Sequence, residues 1–255
     1  MLMDSTFLLL GLGAFFAGMV DAVVGGGGLI QIPLLFSAFP QASPATLFGT
    51  NKLASVFGTA SAAIQYGRRL SIPWQAAGPA AVAAALGSWL GARAVVLFPP
   101  AALRPLILVL LIVVALYTFL RKDFGIHHQR LASARRECGL AILIGAGIGF
   151  YDGFFGPGTG SFLIFLFIRV LGMDFLHASV SAKIINVSTN LAAIAVFVSH
   201  GAVFWQVALV MACCNFLGSR VGTGLALRHG AVFIRKAFLV VVLLLILRFA
   251  ADTFL

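Results

Sequence analysis

Apolar runs near the length that crosses a bilayer constrain this chain more than any other feature. They extend from Thr6 to Val24, Leu29 to Phe39, Pro44 to Tyr66, Ile72 to Phe98 and Ala101 to Leu120. They resume from Cys138 to Phe155, Ser161 to Leu171, Phe175 to Ser199, Val203 to Leu227 and Val232 to Phe249. At about 20 residues per crossing, most can span or nearly span, while Leu29–Phe39 and Ser161–Leu171 are too short to cross alone. Backbone polar groups in hydrocarbon must be satisfied inside a helix or a closed barrel, and runs this long read as helices. The expected fold is an all-α polytopic membrane protein of about 8 to 10 membrane segments.

Composition excludes the main alternative. Only 9% of the 255 residues are charged and the mean hydropathy is +1.08, so the chain cannot coat a soluble domain. The net charge of +10 raises the question of nucleic acid. The basic residues sit between apolar runs rather than on one soluble face, so they read as loops facing an anionic leaflet. The expected partner is the lipid bilayer, with no nucleic acid and with a homo-oligomer left open. Cys138, Cys213 and Cys214 form no disulfide framework or zinc spacing. Met1-Leu2-Met3-Asp4 lacks the basic start of a cleaved signal, so the first run is expected in the mature protein. The longest polar stretch, Arg121 to Glu137, is 17 residues long. One membrane domain over residues 1–255 is therefore expected.

The runs repeat. Adding 131 to a first-half position carries Asp21 onto Asp152, Gly25 onto Gly156, Gly27 onto Gly158 and Lys52 onto Lys183. It also carries Trp74-Gln75 onto Trp205-Gln206, Leu86-Gly87-Ser88 onto Leu217-Gly218-Ser219, and Arg104 onto Arg235. Asp, Lys and Trp are rare in this chain, so their coincidence at one offset marks a duplication. Two homologous repeats, 6–120 and 138–251, are joined by a basic loop, 121–137, expected in the cytoplasm.

Charge also suggests how the repeats are oriented. If each short segment is the returning arm of a re-entrant hairpin, each half makes an odd number of crossings. Arg68, Arg69, Arg121, Lys122, Arg130, Arg135, Arg136, Arg169, Arg228, Arg235 and Lys236 then share one face. Arg93, Arg104 and Arg248 take the other. Full crossing by every segment divides the same residues almost evenly. The positive-inside rule therefore favours inverted repeats with broken helices.

Two glycine clusters carry the functional expectation. Gly25-Gly26-Gly27-Gly28 is disfavoured as continuous helix, at about 1 kcal/mol per glycine relative to alanine. Gly156-Pro157-Gly158-Thr159-Gly160 is its counterpart. Unwound backbone at membrane depth must be buried in protein or line a wet cavity. Each break precedes a short helix whose N-terminal amides and dipole suit an anion. Asp21 and Asp152, four residues before the breaks, are candidates to carry protons, to bind a cation or to cap the unwound backbone.

Lys52, in Gly49-Thr50-Asn51-Lys52, and Lys183 sit inside the following segments and need an anionic partner or a route to the interface. Pairing within the second half would join Lys183 to Asp152. Lys183, Asn186 and Asn190 share one helical face, and Asn51, Ser55 and Thr59 form a comparable stripe in the first half. Gly145, Gly149 and Gly153, with the pairs Gly87/Gly91 and Gly218/Gly222, read as close helix contacts. Asn215 and Arg220 are lesser candidates, and His127 and His128 read as loop residues.

The candidate substrate-binding set is therefore Gly25 to Gly28, Asn51, Lys52, Gly156, Gly158, Thr159, Gly160, Lys183, Asn186 and Asn190, with Asp21 and Asp152 for coupling. No GxxxxGK[ST] loop, HExxH motif or serine–histidine arrangement stands out. No cofactor, metal or enzymatic activity is expected.

These motifs also carry a resemblance. Gly25-Gly26-Gly27-Gly28-Leu29-Ile30 with Pro33, followed by Gly49-Thr50-Asn51-Lys52, resembles the first-half signature of the TauE/SafE sulfite exporter family. Tyr151 to Ser161, with Ala182-Lys183, Asn186 and Thr189-Asn190, resembles the second-half signature of a bacterial subgroup. The resemblance covers essentially the whole chain. It implies a plasma-membrane permease for sulfite, sulfonates or related small anions, working without ATP hydrolysis. A secondary small-anion transporter is the leading expectation. A passive anion channel and a membrane scaffold without transport are the alternatives.

Overall fold

In a computed structural model, the described residues are 2–99, 103, 105–110, 112–113 and 133–229. Eight helices are described: α1 (Leu2–Val24), α2 (Gly28–Ala38), α3 (Pro44–Gly67), α4 (Trp74–Leu97), α5 (Ala134–Phe154), α6 (Thr159–Leu171), α7 (Phe175–Ser199) and α8 (Trp205–His229). The expected segments Ala101–Leu120 and Val232–Phe249, most of the basic loop, Arg104, His127, His128, Arg235 and Lys236 lie outside the described residues or largely so.

Local chemistry sets the helix ends, and it repeats at the same offset. Ser43 caps α3 by accepting from the Thr46 amide, with Pro44 opening the helix. Its counterpart Asp174 caps α7 by accepting from the Leu176 and His177 amides, both at 3.0 Å. Pro73 precedes α4, which starts at Trp74 rather than at Ile72, while α8 starts at the equivalent Trp205. The breaks fall at 25–27 and 155–158, so Gly28 and Thr159 are equivalent first residues of short helices.

Five described helices are long and apolar enough to cross a membrane: most of α1, with α4, α5, α7 and α8. α3, 24 residues long, is missing from that set because of its polar residues. Asn51, Lys52, Thr59 and Ser61 are buried against protein, so α3 need not be apolar where it faces its neighbours. The outer faces carry the apolar load instead: Leu8, Leu12, Val82, Leu86, Leu143, Leu209 and Leu217 are exposed, as lipid contact requires.

Packing follows the duplication. α4 lies along α5, and α1 lies along α8. A Cβ on Gly87 would collide with the Ala146 carbonyl and one on Gly91 with the Phe150 carbonyl. At the equivalent places, Gly218 meets the Phe15 carbonyl and Gly222 the Met19 carbonyl. Positions rise together along both helices, so each pair is parallel and packed backbone to backbone. The close-contact reading of these glycines, with Gly145, Gly149 and Gly153 against α4, therefore holds.

α3 and its counterpart α7 run in opposite directions. Gly49, near the start of α3, abuts Phe197 near the end of α7, while Ala62 and Tyr66 cluster with Val180 near the start of α7. Buried hydroxyls tie the halves symmetrically. Ser88 Oγ donates to the Thr189 carbonyl at 2.7 Å, and Ser219 Oγ donates to the Gly58 carbonyl at 2.6 Å.

Candidate functional site

The two breaks meet. Gly25 and Gly160 stand backbone to backbone: a Cβ on either would lie 2.6 Å from the other's Cα. The Ser161 amide donates to the Gly25 carbonyl at 3.3 Å, and Ser161 Oγ donates to the Val24 carbonyl at 2.5 Å. Gly25 and its counterpart Gly156 both take positive φ, 78° and 95°, where side chains are disfavoured. Pro157 packs beside Gly28, and the Tyr151 hydroxyl donates to the Pro157 carbonyl at 2.5 Å.

Around this crossing is a cavity of about 20 Å³, room for about one water. It is lined by Asp21, Gly25, Gly28, Asn51, Lys52, Ser55, Thr59, Asp152, Gly156, Gly158, Gly160, Asn186 and Asn190. The structure thus gathers most of the candidate residues, together with the first-half stripe of Ser55 and Thr59, at one place between the halves. Gly28 and Gly160 lie in the first turns of α2 and α6, where the neighbouring Leu29, Ile30, Thr159 and Ser161 amides donate to the carbonyls of Gly26, Gly27, Gly156 and Gly25.

Four ionisable side chains bind one another across the repeat. Lys52 Nζ lies 2.6 Å from Asp152 Oδ2, and Lys183 Nζ lies 3.2 Å from Asp21 Oδ2. Both lysines are almost wholly buried, at 3% and 1% exposure, which removes the snorkelling alternative. Each lysine pairs with the aspartate of the other half, so a pairing of Lys183 with Asp152 inside the second half is corrected. Among the described residues, the partners of the aspartate side chains are Lys183 and Thr59 for Asp21 and Lys52 for Asp152, not amides of the unwound backbone. Lys183 also donates to the main-chain carbonyl of Asp21, near the C-terminal end of α1, where a cation suits the helix dipole.

Some candidates stand elsewhere. Gly26, Gly27, Thr159 and Lys183 do not line the cavity. Gly27 has helical angles, φ −55° and ψ −36°, so it is not unwound; a Cβ there would meet the Ala17 carbonyl at 2.8 Å. Its role is close packing on α1. Thr159 Oγ1 donates to the Gly156 carbonyl at 2.7 Å and fixes the second break. Asn215 donates to the Ala14 carbonyl at 3.2 Å, and Arg220 lies 5.6 Å over the Phe216 ring, both away from the cavity.

Sequence reasoning missed Gln31, which is fully buried. Its Oε1 accepts from Ser55 Oγ at 3.3 Å, while its Nε2 has no partner among the described residues. A polar residue inside a short apolar arm was the available signal.

Sequence similarity relates the chain to known membrane proteins. The sequence profile of the family described as "Sulfite exporter TauE/SafE" matches residues 10–249. "Probable membrane transporter protein ORF9" of Sinorhizobium sp is 38% identical over 242 residues, covering 94% of this chain and 90% of that relative. "Probable membrane transporter protein YfcA" of Escherichia coli (strain K12) is 35% identical over 230 residues, covering 89% of this chain and 83% of that relative. A "Probable membrane transporter protein" of Haemophilus influenzae is 31% identical over 239 residues, covering 93% of this chain and 92% of that relative. No solved structure matches the chain.

Proposed function

The chain belongs to the sulfite exporter TauE/SafE family and is a multi-pass bacterial membrane protein, and from that premise we propose that it is a secondary transporter of a small anion. The substrate class is a sulfur oxyanion or organosulfonate, such as sulfite, thiosulfate or sulfoacetate, moved across the bacterial inner membrane and coupled to protons. The observation that carries this reading is the crossing of two broken helices beside a buried lysine. First-turn amides at Gly28 and Gly160 and the Lys52 ammonium are anion-binding chemistry gathered in one cavity. The buried Asp152 carboxylate and the partly exposed Asp21 carboxylate supply groups able to take a proton.

The proposed architecture is two inverted repeats of about 8 to 10 membrane segments in all. The opposite directions of α3 and α7, and the matched contacts at one offset, support it. A cavity with room for about one water is too small for a sulfur oxyanion, so binding requires the halves to part. That requirement favours alternating access over a passive channel, which needs a continuous water path. The paired buried charges likewise count against a scaffold without transport.

The test is uptake of labelled sulfite, thiosulfate, sulfoacetate and sulfate into proteoliposomes, with and without an imposed proton gradient. Saturable uptake driven by the gradient is expected. Rapid, gradient-independent flux would indicate a channel, and no flux of any anion would remove the proposal.

A further inference from the structure

The two cross-repeat ion pairs are equivalent in sequence and unequal in surroundings. Lys183 donates both to the carboxylate and to the main-chain carbonyl of Asp21. Thr59 Oγ1 shares its one proton between the Ser55 carbonyl at 2.9 Å and Asp21 Oδ2 at 3.3 Å. Each member of that pair therefore keeps a second partner, and Lys183 does not line the cavity.

Lys52 and Asp152 have no such reserve. Asp152 is the only polar partner of Lys52 among the described residues, and both line the cavity. The residue equivalent to Thr59 is Asn190, and its amide donates to Asn186 Oδ1 at 2.9 Å. The charged groups facing this pair are few. Asp21 of α1 lies across the cavity, with Lys183 of α7 bound to it. His177, also on α7, bonds Asp174 at the helix start. α4 contributes Arg93, stacked on Trp89 at the surface, and α6 contributes Arg169 in its last turn. Tyr151, beside Asp152 on α5, directs its hydroxyl to the Pro157 carbonyl.

We propose that Lys52–Asp152 is the exchangeable pair of the transporter: the substrate anion takes the Lys52 ammonium from Asp152, and the released Asp152 carboxylate takes one proton from solution. This deepens the transport reading and rests on it. The four charges, Asp21 being partly exposed and the other three buried, cancel, so an arriving monovalent anion leaves one excess negative charge. Excess charge is costly in a membrane interior. One proton on Asp152 restores neutrality, and it leaves the pair with no carboxylate to reclaim the lysine. Binding of anion and binding of proton thus require each other. The Lys183–Asp21 pair, doubly held, is a strut joining α7 to the end of α1.

The experiment uses purified full-length protein with methanesulfonate and thiosulfate, neither of which titrates near neutrality. Anion affinity is measured at two pH values, and proton uptake on methanesulfonate addition is followed in weakly buffered solution. For the wild type, binding about 100-fold tighter at about pH 6 than at about pH 8 is expected, with about one proton taken up per methanesulfonate. Asp152→Asn combined with Lys52→Arg removes the proton-taking carboxylate and keeps a cation that does not deprotonate, so anion binding should become pH-independent and free of proton uptake. The double variant Lys52→Met with Asp152→Asn carries no lone buried charge and should fold, yet bind about 100-fold more weakly.

Anion binding by that double variant at wild-type affinity would overturn the proposal. So would pH dependence or proton uptake that survives Asp152→Asn combined with Lys52→Arg. Either result alongside wild-type binding leaves the transport reading standing. Failure of the wild type to bind either anion overturns both.

Discussion

Gly25 and Gly160, one from each break, touch through their backbones, with no space for a side chain on either. The strands of the two breaks are thereby held at the height of the cavity, and φ of 78° at Gly25 adds a second demand for glycine. Gly25→Ala should cost about 1–2 kcal/mol from the left-handed backbone alone, plus the collision. Loss of transport together with a lower melting temperature is expected. Gly147→Ala, where a Cβ meets nothing within 4 Å, is the control and should be neutral or slightly stabilising. Wild-type flux from Gly25→Ala would show that the crossing is not required.

The partner choice of the lysines predicts which pairs of substitutions are coupled. A double-mutant cycle on Lys52 with Asp152 should give a stability coupling of about 1–3 kcal/mol, and so should Lys183 with Asp21. A cycle on Lys183 with Asp152 should give a much smaller value. Single changes leave a buried charge unpaired, which is why the double change should recover part of the loss. Strong coupling between Lys183 and Asp152 would contradict the cross-repeat arrangement.

Much of this site was legible because rare residues stand out in an apolar chain. Asp21, Asp152, Lys52 and Lys183 recur at one offset, and the glycine runs could not continue a helix cheaply. The exchange of partners between halves was not legible, because it depends on α4 packing along α5 and α1 along α8, contacts distant in sequence. Neither could a glycine run disclose its own angles: Gly25 is left-handed while Gly27 is helical. Gln31 breaks the repeat, since its counterpart is Phe162, and an argument built on matched positions passes over it.

Ser88 and Ser219 offer a test of the duplication that is independent of transport. Each buried hydroxyl donates to a main-chain carbonyl of the opposite half, at 2.7 and 2.6 Å. Ser88→Ala and Ser219→Ala should each destabilise by about 0.5–1.5 kcal/mol in unfolding measurements, and by similar amounts. A large effect at one position and none at the other would mean that the two contacts are not energetically equivalent.

Helix directions make the topology testable residue by residue. Tyr66 near the end of α3 clusters with Val180 near the start of α7 and with Leu227 near the end of α8. Arg68 and Arg69 follow Tyr66, and Arg228 follows Leu227, so these three arginines share one face. α5 is parallel to α4, which begins just after that same turn, so Arg135 and Arg136 join them. Arg93, late in α4, belongs toward the opposite face. The positive-inside rule puts the richer face in the cytoplasm. Single cysteines at positions 69, 135 and 228, on a background lacking the native cysteines, should resist an impermeant thiol reagent added outside intact cells. A cysteine at Pro99, after the end of α4, should react. Labelling at all three basic positions with protection at 99 would invert the molecule. Labelling at 69 but not at 228 would break the shared face, and with it the placement of the ends of α3 and α8 on one side.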